Sequence, residues 1–255
     1  MAEQSRLGAG RSVASKVVAL LSAFTPATPR LTLAELAAIT GLPPSTAHRL
    51  ATELVEWGGL ERADGSGYRI GLRMWEIGSL APRGESLRAA ALPIMQDLHE
   101  GTRATVHLAI MEAREALYIE KITGRDAVRV KSRRGGRLPL HATGVGKILL
   151  AYSSDEVIDE VLAAGLRRYT ARTIVAPGQL RRSLREARRT GLAYNFEELT
   201  PGSLTVAAPI FGPGGDAVAA LDIVVRTSRA NLRQLAPAVR TSAISISRAL
   251  RAGVP

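Results

Sequence analysis

The chain has 255 residues, 46% of them hydrophobic and 22% charged. That is room for two domains of about 100–150 residues each, and too apolar a mixture for whole-chain disorder or a fibrous repeat. Cysteine is absent, which excludes disulfides, thiolate metal sites and cysteine nucleophiles together. The formal charge of +11 points to an anionic partner, but it is unevenly spread. Residues 1–72 hold 7 Lys/Arg against 6 Asp/Glu, leaving 27 against 17 for the rest, so charge alone does not locate an interface.

From the N-terminus, MAEQSRLGAGRS lacks the apolar centre of a secretory signal. Val13, Val17, Leu20, Leu21 and Phe24 then recur at helical spacing behind Ser12, a suitable N-cap. Thr32-Leu33-Ala34-Glu35 predicts a capping box and a short helix with Leu33, Leu36 and Ala37 on its inner face, ended by Gly41. Pro43-Pro44 opens the next helix, whose stripe is Ala47, Leu50, Ala51, Leu54 and Val55. Ser45, His48, Arg49 and Thr52 share its polar face. Leu60–Ala63 and Tyr68–Ile70 flank Asp64-Gly65-Ser66-Gly67, a hairpin signal. Helix, tight turn, helix and hairpin in this order spell a winged helix-turn-helix.

Leu72, Trp75, Ile77 and Leu80 suggest an amphipathic connector that stops at Ala81-Pro82-Arg83-Gly84. A helix over Glu85–Glu100 opens a second domain, with Leu87, Ala91, Ile94, Met95 and Leu98 as its stripe. Strands are expected at Thr105–Met111, Leu117–Ile122, Ala127–Lys131, Tyr194–Glu198, Leu204–Ile210 and Ala217–Val225. Helices are expected at Thr143–Tyr152, Glu156–Ala164, Gln179–Thr190 and Leu232–Ala252. Strands grouped on either side of a helical middle suit an antiparallel sheet backed by helices, giving an α+β chain. The most apolar stretch, Ala217–Val225, is too short to span a membrane and carries Asp222. The expectation is a cytoplasmic protein with no membrane partner.

On the late strands Ser203, Thr205 and Ala207 alternate with Leu204, Val206 and Ala208. The first face is small and partly polar, suited to a ligand; the second is apolar, suited to helix packing. Asp222 lies in an apolar strand, where a carboxylate needs an internal partner such as Arg129 or a ligand to meet. The arginines of Arg181–Arg189 sit opposite Leu180, Leu184 and Ala187 and read as a solvated helix face before a nucleic-acid patch. Arg129, Lys131, Arg133, Arg134 and Arg137 read the same way, with part of that run bordering a pocket. His141-Ala142-Thr143-Gly144-Val145-Gly146-Lys147 imitates a phosphate loop. That motif needs glycine at 141 and Ser or Thr at 148, where this chain has His141 and Ile148. An acyl-transfer enzyme pairing Ser203 or Thr205 with His141 lacks a GxSxG elbow and any evident carboxylate-oriented histidine. His48, His99, His107 and His141 lie far apart. No catalytic site, metal or cofactor is therefore expected, and a non-enzymatic sensor acting through protein contacts is the remaining rival.

GLPPSTAHRLATELVEWGGLER (41–62) resembles the recognition helix and wing entry of the IclR family of bacterial transcription regulators. RLPLHATGVGKILLAY (137–152) and EELTPGSLTVAAPIFGPGGDAVAALDI (197–223) resemble that family's effector-domain motifs. The likeness covers essentially residues 11–252. It implies a winged helix-turn-helix over residues 11–72, a linker helix over 73–85 and a GAF-like effector-binding domain over 86–255. It implies a dimer or tetramer on a double-stranded DNA operator, controlled by a small-molecule effector. Pro44, Ser45, Thr46, His48, Arg49, Arg62 and Arg69 are then the DNA-binding residues, with Arg49 able to grip guanine through two donors. Leu138, Gly144, Val145, Asn195, Ser203, Thr205 and Asp222 are then the effector-binding residues. Asp222 falls where members binding small carboxylates tend to have a hydroxyl residue, which favours a hydroxylated, neutral or cationic effector here.

Overall fold

The computed structural model describes residues 12–124, 128 and 130–253. The chain divides into two compact units, Met1–Pro82 and Arg83–Pro255.

In the first unit, helix α1 (Val13–Ser22) starts on the Ser12 side chain, which accepts the Ser15 N–H. Strand β1 (Leu31–Thr32) runs into α2 (Leu33–Thr40). The capping box forms as expected: the Glu35 carboxylate accepts the Thr32 N–H at 2.7 Å, and Thr32 Oγ1 accepts the Glu35 N–H at 3.3 Å. The Thr32 N–H and the Thr32 hydroxyl, both donating to the Glu35 carboxylate, hold its pKa below the ordinary value. Gly41 ends α2 in the left-handed region (φ 67°) and turns the chain into α3 (Pro44–Glu56). Leu20, Leu36, Ala47, Leu50, Ala51, Leu60 and Tyr68 form the core, and Val17, Leu33 and Val55 pack against it. Strands β2 (Leu60–Ala63) and β3 (Gly67–Ile70) make the hairpin. The sheet has a third strand that the sequence did not signal: Leu31 pairs with Tyr68 and Thr32 with Gly67, so β1 closes the free edge of β3. The unit ends with α4 (Leu72–Ser79), none of whose residues is buried.

The second unit begins with α5 (Pro82–Thr102) and is built on one six-stranded sheet in the order β6-β5-β4-β9-β8-β7, every pair antiparallel. Its strands are β4 (Thr105–Glu112), β5 (Glu115–Ile122), β6 (Arg137–Pro139), β7 (Ala193–Phe196), β8 (Ser203–Phe211) and β9 (Ala217–Arg226). One face carries Leu108, Leu204, Val206, Leu221 and Ile223 against α5 and the C-terminal helix α9 (Leu232–Arg251). The other carries Ala109, Tyr118, Ala207 and Ala220 against α6 (Gly144–Ala151), α7 (Asp155–Ala163) and α8 (Pro177–Thr190). The alternation read from residues 203–208 therefore assigns both faces correctly. The strand expected at 127–131 is corrected: Val128, Val130 and Lys131 are outside any strand, while 127 and 129 lie outside the described residues. The third strand of that hairpin is β6, which continues from β5 through Ala116↔Leu138. Among the described residues no helix is long and apolar enough to cross a membrane.

Candidate functional site

The first unit presents the start of α3. Its stripe is buried, which turns Ser45, His48 and Arg49 outward, with Thr46 half-buried at the edge and Pro44 exposed at the first turn. Arg62 and Arg69 are exposed on the hairpin. All seven predicted DNA-contacting residues thus lie on this unit's surface, and three cations there have internal partners. Arg49 donates to Glu53 at 2.5 Å, Arg69 to Glu61 at 2.8 Å, and the Arg62 guanidinium lies 4.7 Å from the Tyr68 ring centre. Both partners of the Arg49–Glu53 pair are more than half exposed, so the bond is worth at most about 1 kcal/mol and yields readily to a stronger anion. Sequence periodicity placed Arg49 but did not disclose that a carboxylate one turn on already holds it.

The second unit encloses a narrow cleft of about 30 Å³, enough for roughly one water. Leu138, Gly144, Asn195, Ser203, Thr205 and Asp222 all line it. Residues from β6, α6, β7, β8 and β9 are brought together around it. Val145 differs: its side chain is fully buried in the helix-facing core, while Ala142, Thr143 and Gly144 before it border the cleft. The approach is tight at Gly144, where an added Cβ would stand 2.5 Å from the Thr205 methyl. Asn195 is already engaged, donating to the Ala142 carbonyl at 2.7 Å and accepting the Glu198 N–H at 3.1 Å. Ser203 donates to the Thr200 carbonyl at 2.6 Å. A wider cleft, of about 350 Å³, borders Arg103 and Arg226 and contains none of the predicted site residues.

The partner of Asp222 is a histidine from the neighbouring strand. Register sets His107 of β4 directly opposite Asp222 of β9, and Nδ1 lies 2.7 Å from Oδ1. On the far side of the ring, Nε2 is 2.7 Å from Ser132 Oγ. The Tyr118 ring meets the imidazole edge-on at 5.1 Å. Burial raises the Tyr118 phenol well above its ordinary range, with the Asp222 charge acting in the same direction. The expectation that no histidine is oriented by a carboxylate is therefore corrected. It failed because the two residues are 115 positions apart and only strand pairing joins them. Arg129, the partner suggested for Asp222, lies outside the described residues. His141 is elsewhere: its Nε2 meets the Arg167 carbonyl at 2.9 Å, and it does not border the cleft beside Ser203 or Thr205. Burial lowers the His141 pKa, which keeps the ring neutral further into acid.

Lys147, which ends the false phosphate loop, is buried and ion-paired with Glu198, and it also donates to the Tyr194 carbonyl at 3.2 Å. Burial pushes the lysine down and the glutamate up, while the pairing opposes both shifts. The pair ties α6 to the segment after β7. The α8 arginines behave as a solvated face: Arg181 pairs with Asp159, Arg189 with Glu186 at 2.6 Å, and Leu180, Leu184 and Ala187 are the buried side. Among the described residues no cluster of His, Asp or Glu is arranged to hold a metal.

Two family models match the chain. The IclR helix-turn-helix domain covers residues 13–64, and the bacterial transcriptional regulator IclR C-terminal domain covers residues 83–248. The chain is 30% identical over 240 residues to the HTH-type transcriptional regulator XynR of Escherichia coli, covering 92% of this chain and 95% of that protein. It is 33% identical over 231 residues to the glycerol operon regulatory protein of Streptomyces coelicolor, covering 88% and 90%. Among solved structures, an IclR homologue from Microbacterium hydrocarbonoxydans complexed with 4-hydroxybenzoate superposes with a TM-score of 0.89 at 34% identity, covering 94% of this chain and all (100%) of that one.

Proposed function

Because this chain belongs to the IclR family of bacterial transcription regulators, we propose that it acts as a ligand-controlled DNA-binding regulator, with each of its two compact units carrying one half of that task. The winged helix-turn-helix reads an operator through the first turns of α3. Pro44 sets the helix start, Ser45 and Thr46 hold phosphate or a base edge, and His48 borders the groove. Arg49 supplies a two-donor grip on guanine. Arg62 and Arg69 reach the backbone from the hairpin. The observation that carries this half is the outward polar turn on a stripe whose Ala47, Leu50, Ala51 and Leu54 are buried.

The second unit binds a small molecule in the cleft walled by Leu138, Gly144, Asn195, Ser203, Thr205 and Asp222, with Val145 contributing through its backbone at the start of α6. The solved relative holds 4-hydroxybenzoate; a small hydroxylated compound suits this chain as well, since the cleft offers hydroxyl and carboxylate groups rather than a cluster of cations. The cleft must widen to admit it, and that rearrangement is the signal. The division into a DNA-binding domain (11–72), linker (73–85) and effector domain (86–255) belongs to the same reading, with the linker made of α4 and the start of α5 where a single helix was expected. So does a homodimer or tetramer in the cytoplasm. Leu72, Trp75 and Leu80 are 62%, 64% and 77% exposed, an apolar surface suited to a second copy. Regulation arises from binding, and no turnover is required for it.

The test is fluorescence anisotropy with DNA from beside the chain's own gene, against random DNA of the same length and across salt. Sequence-selective binding is expected, with a moderate salt slope because the N-terminal unit is nearly neutral. Equal binding to both DNAs contradicts the reading. Thr205→Trp fills the cleft and is expected to leave operator binding intact while abolishing any effector-dependent change in affinity.

A further inference from the structure

The cleft holds a hydroxyl, an imidazole and a carboxylate in series, an order that effector binding does not require. Ser132, His107 and Asp222 are 6%, 2% and 2% exposed, and both links of the series measure 2.7 Å. With the Asp222 carboxylate accepting the Nδ1 proton, Nε2 is left with a lone pair to accept the Ser132 hydroxyl proton. That is the arrangement of a serine activated by a general base. Each member is held from outside the series. Strand register fixes His107 against Asp222, and the Tyr118 ring buttresses the imidazole. Lys121 Nζ donates to the Ser132 backbone carbonyl at 2.7 Å and pins the loop that carries the serine.

The first turn of α6 also borders the cleft, through Thr143 and Gly144. Thr143 Oγ1 takes the Gly146 N–H at 3.2 Å. The N–H groups of Gly144 and Val145 precede the first intrahelical bond, which runs from the Lys147 N–H to the Thr143 carbonyl. Backbone donors at a helix start are the kind that stabilise a developing oxyanion. Leu138 and Val224 supply an apolar wall beside them.

From this arrangement we propose that the cleft is also an acyl-transfer site that hydrolyses short-chain carboxylic esters. Ser132 Oγ attacks the ester carbonyl carbon while His107 Nε2 takes its proton. The tetrahedral intermediate collapses by breaking the bond to the alkoxy oxygen, which receives that proton from His107 and leaves as the alcohol. Water then adds to the acyl-Ser132 carbonyl, its proton passing to His107. The carbon–Oγ bond breaks, a carboxylic acid departs and Ser132 regains its proton. Ser132 and His107 are the catalytic residues, and Asp222 is a positioning residue. A regulator with this chemistry clears its own ligand, so its response to an ester effector is transient.

The experiment uses the full chain, a fluorophosphonate probe with peptide mass spectrometry, and 4-nitrophenyl acetate as substrate. The expected result is one adduct per chain, on Ser132, and ester turnover that falls roughly a thousandfold or more in Ser132→Ala and His107→Gln. Asp222→Asn is expected to lower kcat with KM nearly unchanged, as for a group that orients the base and does not bind the ester. A merely structural Asp222 moves kcat and KM together. Labelling of the unaltered chain requires no variant to fold. No adduct on Ser132, an adduct elsewhere, or turnover equal to that of Ser132→Ala overturns the proposal. Operator binding is a separate readout and stands or falls independently.

Discussion

The two units treat their polar side chains in opposite ways. In the N-terminal unit the groups that would meet a ligand are exposed or, at Thr46, half-buried, and all of them come from one helix and one hairpin within residues 44–69. In the C-terminal unit they are buried and come from residues as distant as His107, Ser132 and Asp222. A surface that reads a rigid polymer is built by local periodicity, with each side chain free to exchange a weak internal partner for the ligand. An interior that reads a small molecule has to satisfy every polar group when empty, since an unpaired buried group costs about 1–3 kcal/mol. Hence Asn195, Ser203, Ser132, His107 and Asp222 are already hydrogen-bonded, and a ligand that engages them has to displace those bonds.

The difference can be broken most forcefully at Lys147. Lys147→Met leaves the Glu198 carboxylate buried without its cation and is expected to cost about 3–5 kcal/mol in urea unfolding of the C-terminal unit. Replacing both, Lys147→Met with Glu198→Leu, should recover most of that loss. A loss below about 1 kcal/mol in the single variant means that the pair is not a buried structural tie. The corresponding surface device is smaller: Thr32→Ala removes the capping bond of α2 and is expected to cost about 0.5–2 kcal/mol, read as a lowered melting temperature.

The smallest effect is in acid. His141 has its pKa lowered by burial, so the unfolded chain binds the proton more readily than the folded one. Its contribution to stability is complete above the ordinary histidine value of about 6.5 and is lost as the pH falls through the depressed folded value. Denaturation midpoints between pH 7 and pH 5 should fall less steeply in His141→Gln than in the unaltered chain. Parallel slopes would remove this histidine from the acid response.

The same contrast explains what could be read without coordinates. The helix-turn-helix was legible residue by residue because capping boxes, proline starts and apolar stripes are signals within four or five positions of each other. Strand β1 escaped because two residues, Leu31 and Thr32, carry no periodicity; only their pairing with Tyr68 and Gly67 makes them a strand. In the C-terminal unit the cleft-facing side of β8 was visible from the alternation of Ser203, Thr205 and Ala207. His107 was not, since an inward histidine in an apolar strand looks like any core residue until the register of β4 with β9 sets it beside Asp222. Ser132 lies outside any strand or helix, so no spacing pointed to it. The Lys147 ion pair gave no local signal either, because its partner Glu198 is 51 positions away.

The most direct measurement is the affinity of Arg49→Ala for the operator fragment, taken by fluorescence anisotropy beside the unaltered chain at the same salt. Arg49 is exposed and held only by Glu53, so its removal should leave the melting temperature within a degree or so, as surface changes usually do. Losing a two-donor base contact worth about 1–3 kcal/mol should weaken binding by roughly fivefold to a hundredfold. Unchanged affinity with an intact fold would contradict the assignment of α3 as the reading helix, and with it the division of the chain into an outer reader of DNA and an inner reader of a small molecule.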